Sequence, residues 1–203
     1  MSRGAPHGRA AIGLRAHSGW AALVTVAGSA AAPAVIERRR VEMAEGEARQ
    51  PYHTAEDLPV GEAATLLARF SRAAAGRAAA GIAAAVAALR AAGHEPVGAI
   101  VLTAAGRPLP RLESVLASHA LIHTADGEHF RDALAAAAHG MGLRVVRIRE
   151  KDLLARAAEV LGRPAKDLQD AVAGWGKPLG PPWTQDQKLS ALAAWLGLAV
   201  RYS

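Results

Sequence analysis

The sequence contains no cysteine among its 203 residues. This absence excludes disulfide bonds, thiolate-ligated metal centres and thiol nucleophiles. Aromatic residues are scarce, at 4%, and no apolar run approaches the roughly 20 residues that span a bilayer. A Walker-type phosphate loop and a serine nucleophile elbow are also missing from the sequence, which argues against the corresponding hydrolases. About half of the 51% hydrophobic content is alanine, so we expect a helix-rich, closely packed core and no membrane insertion.

Positive charge is in excess. The chain has 24 basic and 18 acidic residues, for a net charge of +6. Twenty of the basic residues are arginine, whose planar guanidinium can donate two parallel hydrogen bonds to a phosphate. The surplus fits a DNA or RNA partner. The alternative is that genomic base composition enriches alanine, arginine and glycine together.

The apolar stretch at residues 20–32 follows several arginines and therefore has some features of a secretory signal. The β-branched run Val24-Thr25-Val26 inside it is more typical of a strand. We therefore expect a cytoplasmic protein.

Hydrophobic periodicity predicts alternating strands and helices after an initial meander. We expect a loose tail over residues 1–9 and one domain over residues 10–203. Predicted strands cover residues 10–14, 20–27, 34–43, 97–103 and 143–148. Predicted helices cover residues 61–92, 112–123, 128–139, 151–161 and 164–173, and a last helix begins at Thr184 with a capping box. The order is β-β-β-α-β-α-β-α with extra C-terminal helices, which predicts an α/β fold with a mixed sheet covered by helices.

Two segments resemble Holliday-junction resolvases of the ribonuclease H-like superfamily. The first hairpin carries Gly13-Leu14-Arg15 and then Ser18-Gly19-Trp20, similar to the glycine–apolar–aspartate strand end and the hydroxyl–glycine–aromatic step of that family. The last helix, from Asp186 to Ala194, is similar to the family's final helix. The resemblance implies a ribonuclease H-like fold and a nucleic-acid partner.

The family's catalytic carboxylates do not carry over. Members hold two divalent metals with three or four carboxylates. Arg15 stands at the first-strand aspartate position, Thr103 at the end of the fourth strand, and Ser190 best matches the last-helix aspartate. Asp186 and Glu113 are the available substitutes. Because a cation at position 15 repels metals, Mg²⁺ or Mn²⁺ is disfavoured, and we assign no metal site and no confident cofactor.

The strand-end neighbourhood is predicted to gather Arg15, His17 and Ser18. Arginine neutralises an anion, while histidine exchanges a proton near neutral pH. This pair would serve a non-standard nuclease, or a small-molecule enzyme for a phosphorylated or carboxylated ligand. The alternative is that Arg15 forms a salt bridge with Asp186 or Glu113 in place of a lost metal site.

A second polar cluster contains His119 and His123, which share a helix face at i, i+4. This spacing can bind zinc if Asp126 or Glu128 supplies a third ligand. Acid–base or phosphate-contacting use of one histidine is a second interpretation, and a pair of surface histidines is a third. We include both histidines among the candidate catalytic residues, with a turn expected over residues 124–127.

The remaining candidates are nucleic-acid contacts: Arg38, Arg40, Tyr52, His53 and Lys188. The arginines can bind phosphates and Tyr52 can stack on a base. A charged edge strand that resists aggregation is the alternative for the arginines. The resulting prediction is a nucleic-acid-binding protein of ribonuclease H-like fold that is either a non-standard or an inactive nuclease. The third hypothesis is a catalytically silent interaction scaffold. A homodimer is possible, and the sequence leaves enzymatic activity open.

Overall fold

The structure, a computed structural model, describes residues 8–104 and 108–200. Its centre is a five-stranded sheet in the order β3-β2-β1-β4-β5. The first three strands form an antiparallel meander, whereas β4 pairs parallel to β1 and β5 pairs parallel to β4. The strands are β1 (Gly8–His17), β2 (Trp20–Gly28), β3 (Pro33–Glu42), β4 (His94–Thr103) and β5 (Arg144–Arg149). The predicted mixed sheet is confirmed.

Helices cover both faces of the sheet, as the alternating pattern predicts. They are α1 (Pro51–Ala55), α2 (Val60–Ala91), α3 (Leu112–Leu116), α4 (His119–Gly140), α5 (Leu153–Leu161), α6 (Ala165–Gly174), α7 (Gly176–Leu179) and α8 (Gln185–Ala199). Helices α2 and α4 bury Ile82, Leu89 and Phe130 against Ile12 and Leu14 of β1. Helices α5, α6 and α8 cover the opposite face, where Trp195 is buried.

Helix α8 approaches the sheet unusually closely. A Cβ atom on Gly13 of β1 would lie 1.8 Å from the carbonyl oxygen of Ser190 and 2.8 Å from the amide nitrogen of Ala194. The side chain of Ser190, which is fully buried, donates a hydrogen bond to the carbonyl of Ala22. Glycine at position 13 therefore allows backbone-to-backbone packing that fixes α8 against the ends of β1 and β2.

Several predicted boundaries were wrong. The turn predicted at residues 124–127 lies within the continuous helix α4. Gly127 is tolerated there, while the buried Asp126 bonds across to α1 instead of terminating the helix. Helix α2 is continuous through Gly76 and Gly81, and the missing side chain of Gly81 leaves room for Val41.

The N-terminal boundary and two tryptophans also bear on the predictions. Strand β1 begins at Gly8, two residues inside the predicted tail, and residues 1–7 lie outside the described part of the chain. Trp183 donates a hydrogen bond to the carbonyl of Val172 and so holds its loop against α6. Trp20 is half-buried at the start of β2.

Helix α2 is, by length and composition, apolar enough to cross a membrane. That is weak evidence, because a core helix of a soluble protein passes the same test. Nine of its residues, including Phe70 and Ile82, are buried within the fold.

Candidate functional site

The candidate site lies where the carboxyl ends of β1, β4 and β5 meet the start of α8. Arg15 lies near the end of β1 and pairs in register with Leu102 of β4. Glu150 directly follows β5, in a short 3₁₀ turn. Asp186 occupies the first turn of α8, where Thr184 and Gln187 form the predicted capping box. The parallel strand order therefore brings together side chains that are far apart in sequence.

Arg15 joins the two carboxylates. Its Nε donates to Glu150 Oε2 at 2.8 Å and its Nη2 donates to Glu150 Oε1 at 3.0 Å, a bidentate arrangement. Its Nη1 forms a short contact with Asp186 Oδ1. The hydrogen bonds to Glu150 and the charges of both carboxylates raise the pKa of Arg15 against the opposing effect of burial. Of the two partners considered in the sequence for an Arg15 salt bridge, Asp186 is present, and the bidentate partner Glu150 was not among them.

His17 extends this network toward the hairpin. Its Nε2 lies 2.9 Å from Asp186 Oδ1 and 3.0 Å from Arg15 Nη1. A proton on Nε2 is donated to the carboxylate, and without that proton Nε2 accepts from the guanidinium. The ring stacks on Trp20, with centroids 4.3 Å apart, and the Arg40 guanidinium lies 3.7 Å from the Trp20 ring centroid. A continuous row of aromatic and charged groups thus crosses the end of the sheet.

The remaining positions of the expected carboxylate site do not supply ligands. Thr103 is buried at the end of β4, and Ser190 is used inside the core. Glu113 is exposed on α3 and does not line the cleft described below. Ser18 is exposed in the tight turn after β1 and lines that cleft.

The predicted nucleic-acid contacts have different surroundings in the structure. Arg38 donates to the carbonyls of Leu179, Gly180 and Pro181, so it holds the segment before α8. Arg40 pairs with Glu42. Of the three further candidates, Lys188 lines a groove beside α6, Tyr52 packs among apolar side chains, and the neighbouring His53 belongs to a histidine cluster.

An open cleft of about 700 Å³ joins the Arg15 network to that second cluster. Its lining is polar and carries three cationic and two carboxylate side chains, with Lys151 exposed at its edge. Arg131, also in the lining, donates to Glu128 at 2.8 Å. The lining includes Arg15, His17, Ser18, Gln50, His123, Asp126, Arg131, Glu150, Lys151 and Gln185. Such a surface suits an anionic, hydrogen-bonding ligand.

The second cluster consists of His53 from α1 with His119 and His123 from α4. Their rings lie 4.5 to 5.3 Å apart, centroid to centroid. Asp126 is buried beneath them and accepts hydrogen bonds from the Tyr52 amide at 2.7 Å and from His53 Nδ1 at 2.5 Å. Burial raises the pKa of Tyr52, and the negative charge of Asp126 raises it further.

Sequence patterns did not identify Glu150, Lys151 or Arg131 as cleft residues. The one local signal was that Glu150 and Lys151 directly follow a predicted strand, where side chains from parallel strands converge. No local sequence pattern indicated that His53 lies beside His119 and His123, because their proximity depends on how α1 packs against α4.

Comparisons with known proteins agree on the fold. No protein-family model and no curated protein sequence matches the chain. The structure resembles Thermus thermophilus RuvC in complex with a Holliday junction substrate, with a TM-score of 0.52 and 15% identity over 93% of this chain and 91% of that one. It is similarly close to another Thermus thermophilus RuvC structure, with a TM-score of 0.52 and 14% identity over 92% of each chain. The predicted distant resemblance to resolvases of the ribonuclease H-like superfamily is thereby confirmed.

Proposed function

We propose that this protein binds structured nucleic acid at the cleft and does not use the two-metal cleavage chemistry of its structural relatives. The observation that carries the proposal is Arg15 bridging Glu150 and Asp186. These carboxylates are the groups at the strand end that a hard divalent cation would need. Arg15 and His17 already compensate their charge.

Electrostatic repulsion makes Mg²⁺ binding at this position costly. A dication about 4 Å from a guanidinium experiences a repulsion of roughly 8 kcal/mol at an effective dielectric constant of 20. Displacing Arg15 instead would break its bidentate bonds to Glu150. The arrangement therefore favours the ion-pair network over a metal centre.

Support for a nucleic-acid ligand comes from the cleft and from the fold. Lys151 and Arg131 line the cleft beside the Arg15 network and can contact phosphates. Arg40 is exposed and lies over the Trp20 ring, a flat arrangement on which an unstacked base can add a further layer. One of the structural relatives is described in complex with a Holliday junction. The proposal includes a cytoplasmic location, and light scattering would test the expected homodimer.

The test is a salt titration of binding to labelled four-way-junction, duplex and single-stranded DNA and to duplex RNA, repeated with Mg²⁺ on denaturing gels. We expect preferential binding to the junction and no cleavage. Lys151→Gln should lower the salt slope by about one if that side chain contacts a phosphate. The control is Lys166→Gln, because Lys166 is exposed on α6 and paired with Asp170. No binding at low salt would refute the proposal, and Mg²⁺-dependent cleavage would refute its second half.

A small-molecule function is the second candidate, favoured by the size of the cleft. Its volume of about 700 Å³ falls in the range of ordinary ligand sites. A phosphorylated or carboxylated ligand would contact His17 and Lys151. Stabilisation of the protein by such compounds, together with failure to bind any nucleic acid, would favour this function over the first.

A further inference from the structure

Three imidazoles from two helices converge at the edge of the cleft. His53, His119 and His123 each bring a ring nitrogen within 4.8 Å of the others. The Nε2 atoms of His119 and His123 are 3.1 Å apart. In tetrahedral zinc sites with bonds of about 2.0–2.1 Å, ligand nitrogens lie about 3.3–3.4 Å from one another. We propose that these three histidines bind Zn²⁺.

Asp126 gives the cluster the supporting contact that zinc-binding histidines commonly have. Its side chain is 7% exposed, and its Oδ2 accepts a hydrogen bond from His53 Nδ1 at 2.5 Å. This bond fixes the proton on Nδ1 and leaves Nε2 as the free ligand nitrogen of His53. The Tyr52 amide holds the other oxygen, Oδ1, at 2.7 Å. Asp126, which the sequence offered as one of two alternative third ligands, therefore orients a ligand from behind.

The helix geometry presents the other two ligands on one surface. His119 and His123 lie one turn apart on α4, and both are exposed. Side-chain rotation at these two exposed positions can adjust the nitrogen separations to those of a zinc site. His53 is half-buried and held by Asp126, so it is the fixed ligand around which the other two close.

The donor set selects the metal and leaves a position open. Imidazole nitrogens suit zinc and related transition metals, whereas Mg²⁺ takes oxygen ligands. Within residues 8–104 and 108–200, only these three histidines form such a cluster. Water or an anionic ligand would therefore complete the tetrahedron. Three histidines with an open position are the arrangement with which proteins activate water, and His123 and Asp126 also line the cleft.

The test uses the full-length protein after chelation, without nucleic acid. We expect one Zn²⁺ per chain by calorimetry and a Co²⁺ complex with the intense visible bands of tetrahedral coordination. His119→Ala and His123→Ala should abolish stoichiometric binding. Asp126→Asn should weaken it by roughly 10- to 100-fold, because the orienting carboxylate is lost.

The matched control is His139→Ala, since His139 is an exposed histidine in the last turn of the same helix. It should retain the wild-type affinity. Because His119 and His123 are exposed, their variants keep the fold, which circular dichroism would verify. Absence of one-to-one binding, or unchanged affinity in His119→Ala, would overturn the proposal. Zinc binding is measured without DNA or RNA. Failure of the zinc proposal can therefore be distinguished from failure of the proposed nucleic-acid binding.

Discussion

Replacing Arg15 with glutamine tests whether the ion-pair network occupies the position of a metal centre. Glutamine keeps a hydrogen-bonding group but removes the charge between Glu150 and Asp186. The three side chains are 21%, 39% and 21% exposed, so their pairing is intermediate between surface and buried. Surface pairs contribute up to about 1 kcal/mol, and breaking buried pairs costs about 3–5 kcal/mol. We expect a loss of about 2 kcal/mol in the free energy of unfolding, after allowance for solvent screening.

Urea unfolding and thermal melts, each with and without millimolar Mg²⁺, provide the measurement. A loss of about 2 kcal/mol corresponds to a fall of roughly 4–8 °C in Tm for a chain of this size. Mg²⁺ should leave the wild-type Tm unchanged. It should partly restore the Tm of the variant, because two carboxylates without a cationic partner then attract the ion and binding stabilises the folded state.

Arg156→Gln is the matched control, since Arg156 pairs with Glu159 on α5 and both side chains are well exposed. Its stability should change by less than about 0.5 kcal/mol. Two results would refute the reasoning about Arg15. One is a loss for Arg15→Gln no larger than that of the control. The other is equal stabilisation of the wild type and the variant by Mg²⁺.

Three further perturbations test the packing and the buried groups around the site. Gly13→Ala should lower the free energy of unfolding by about 3 kcal/mol in chemical denaturation, because the added Cβ would overlap the Ser190 carbonyl. In the control Gly76→Ala the added Cβ meets nothing within 4 Å, so this variant should be more stable by about 0.5–1 kcal/mol. Equal effects of the two substitutions would disprove the close packing of α8. Burial lowers the pKa of His129, so the unfolded chain takes up the proton first as pH falls below about 6.5. Unfolding free energy should therefore fall over that range, and His129→Gln should flatten the profile. Arg38→Met removes the hydrogen bonds to the three carbonyls at residues 179–181. It should lower the free energy of unfolding by about 2 kcal/mol and accelerate proteolysis of that segment. Unchanged proteolysis would contradict this role of Arg38.

The fold was predictable because its signals are local. The apolar run at residues 97–103 is a strand buried on both faces, and Thr184 with Gln187 marks the start of α8. Errors arose where a tertiary contact overrides a local preference. Residues 124–127 have the composition of a turn, yet α4 continues through them because Asp126 satisfies its oxygens on α1.

The site was only partly predictable for a related reason. The substitution of Arg15 for a carboxylate was visible in the sequence, and so was its available partner Asp186. Its bidentate partner Glu150 lies 135 residues away, and only the position of β5 beside β4 brings it into reach. Nothing in the sequence indicated that Arg38, which lies in a strand, holds the segment at residues 179–181 through its backbone carbonyls.

The two polar clusters of the cleft differ in the cation that each can accept. At the strand ends, the Arg15 guanidinium donates hydrogen bonds to the carboxylate oxygens, which are the kind of ligand that Mg²⁺ requires. At the α1–α4 contact, three imidazole nitrogens converge, and a buried carboxylate supports one of the rings. A softer metal is therefore favoured at the second position, while a hard metal is disfavoured at the first. Because His123 and Arg15 line one cleft, a ligand bound there would lie within reach of both clusters.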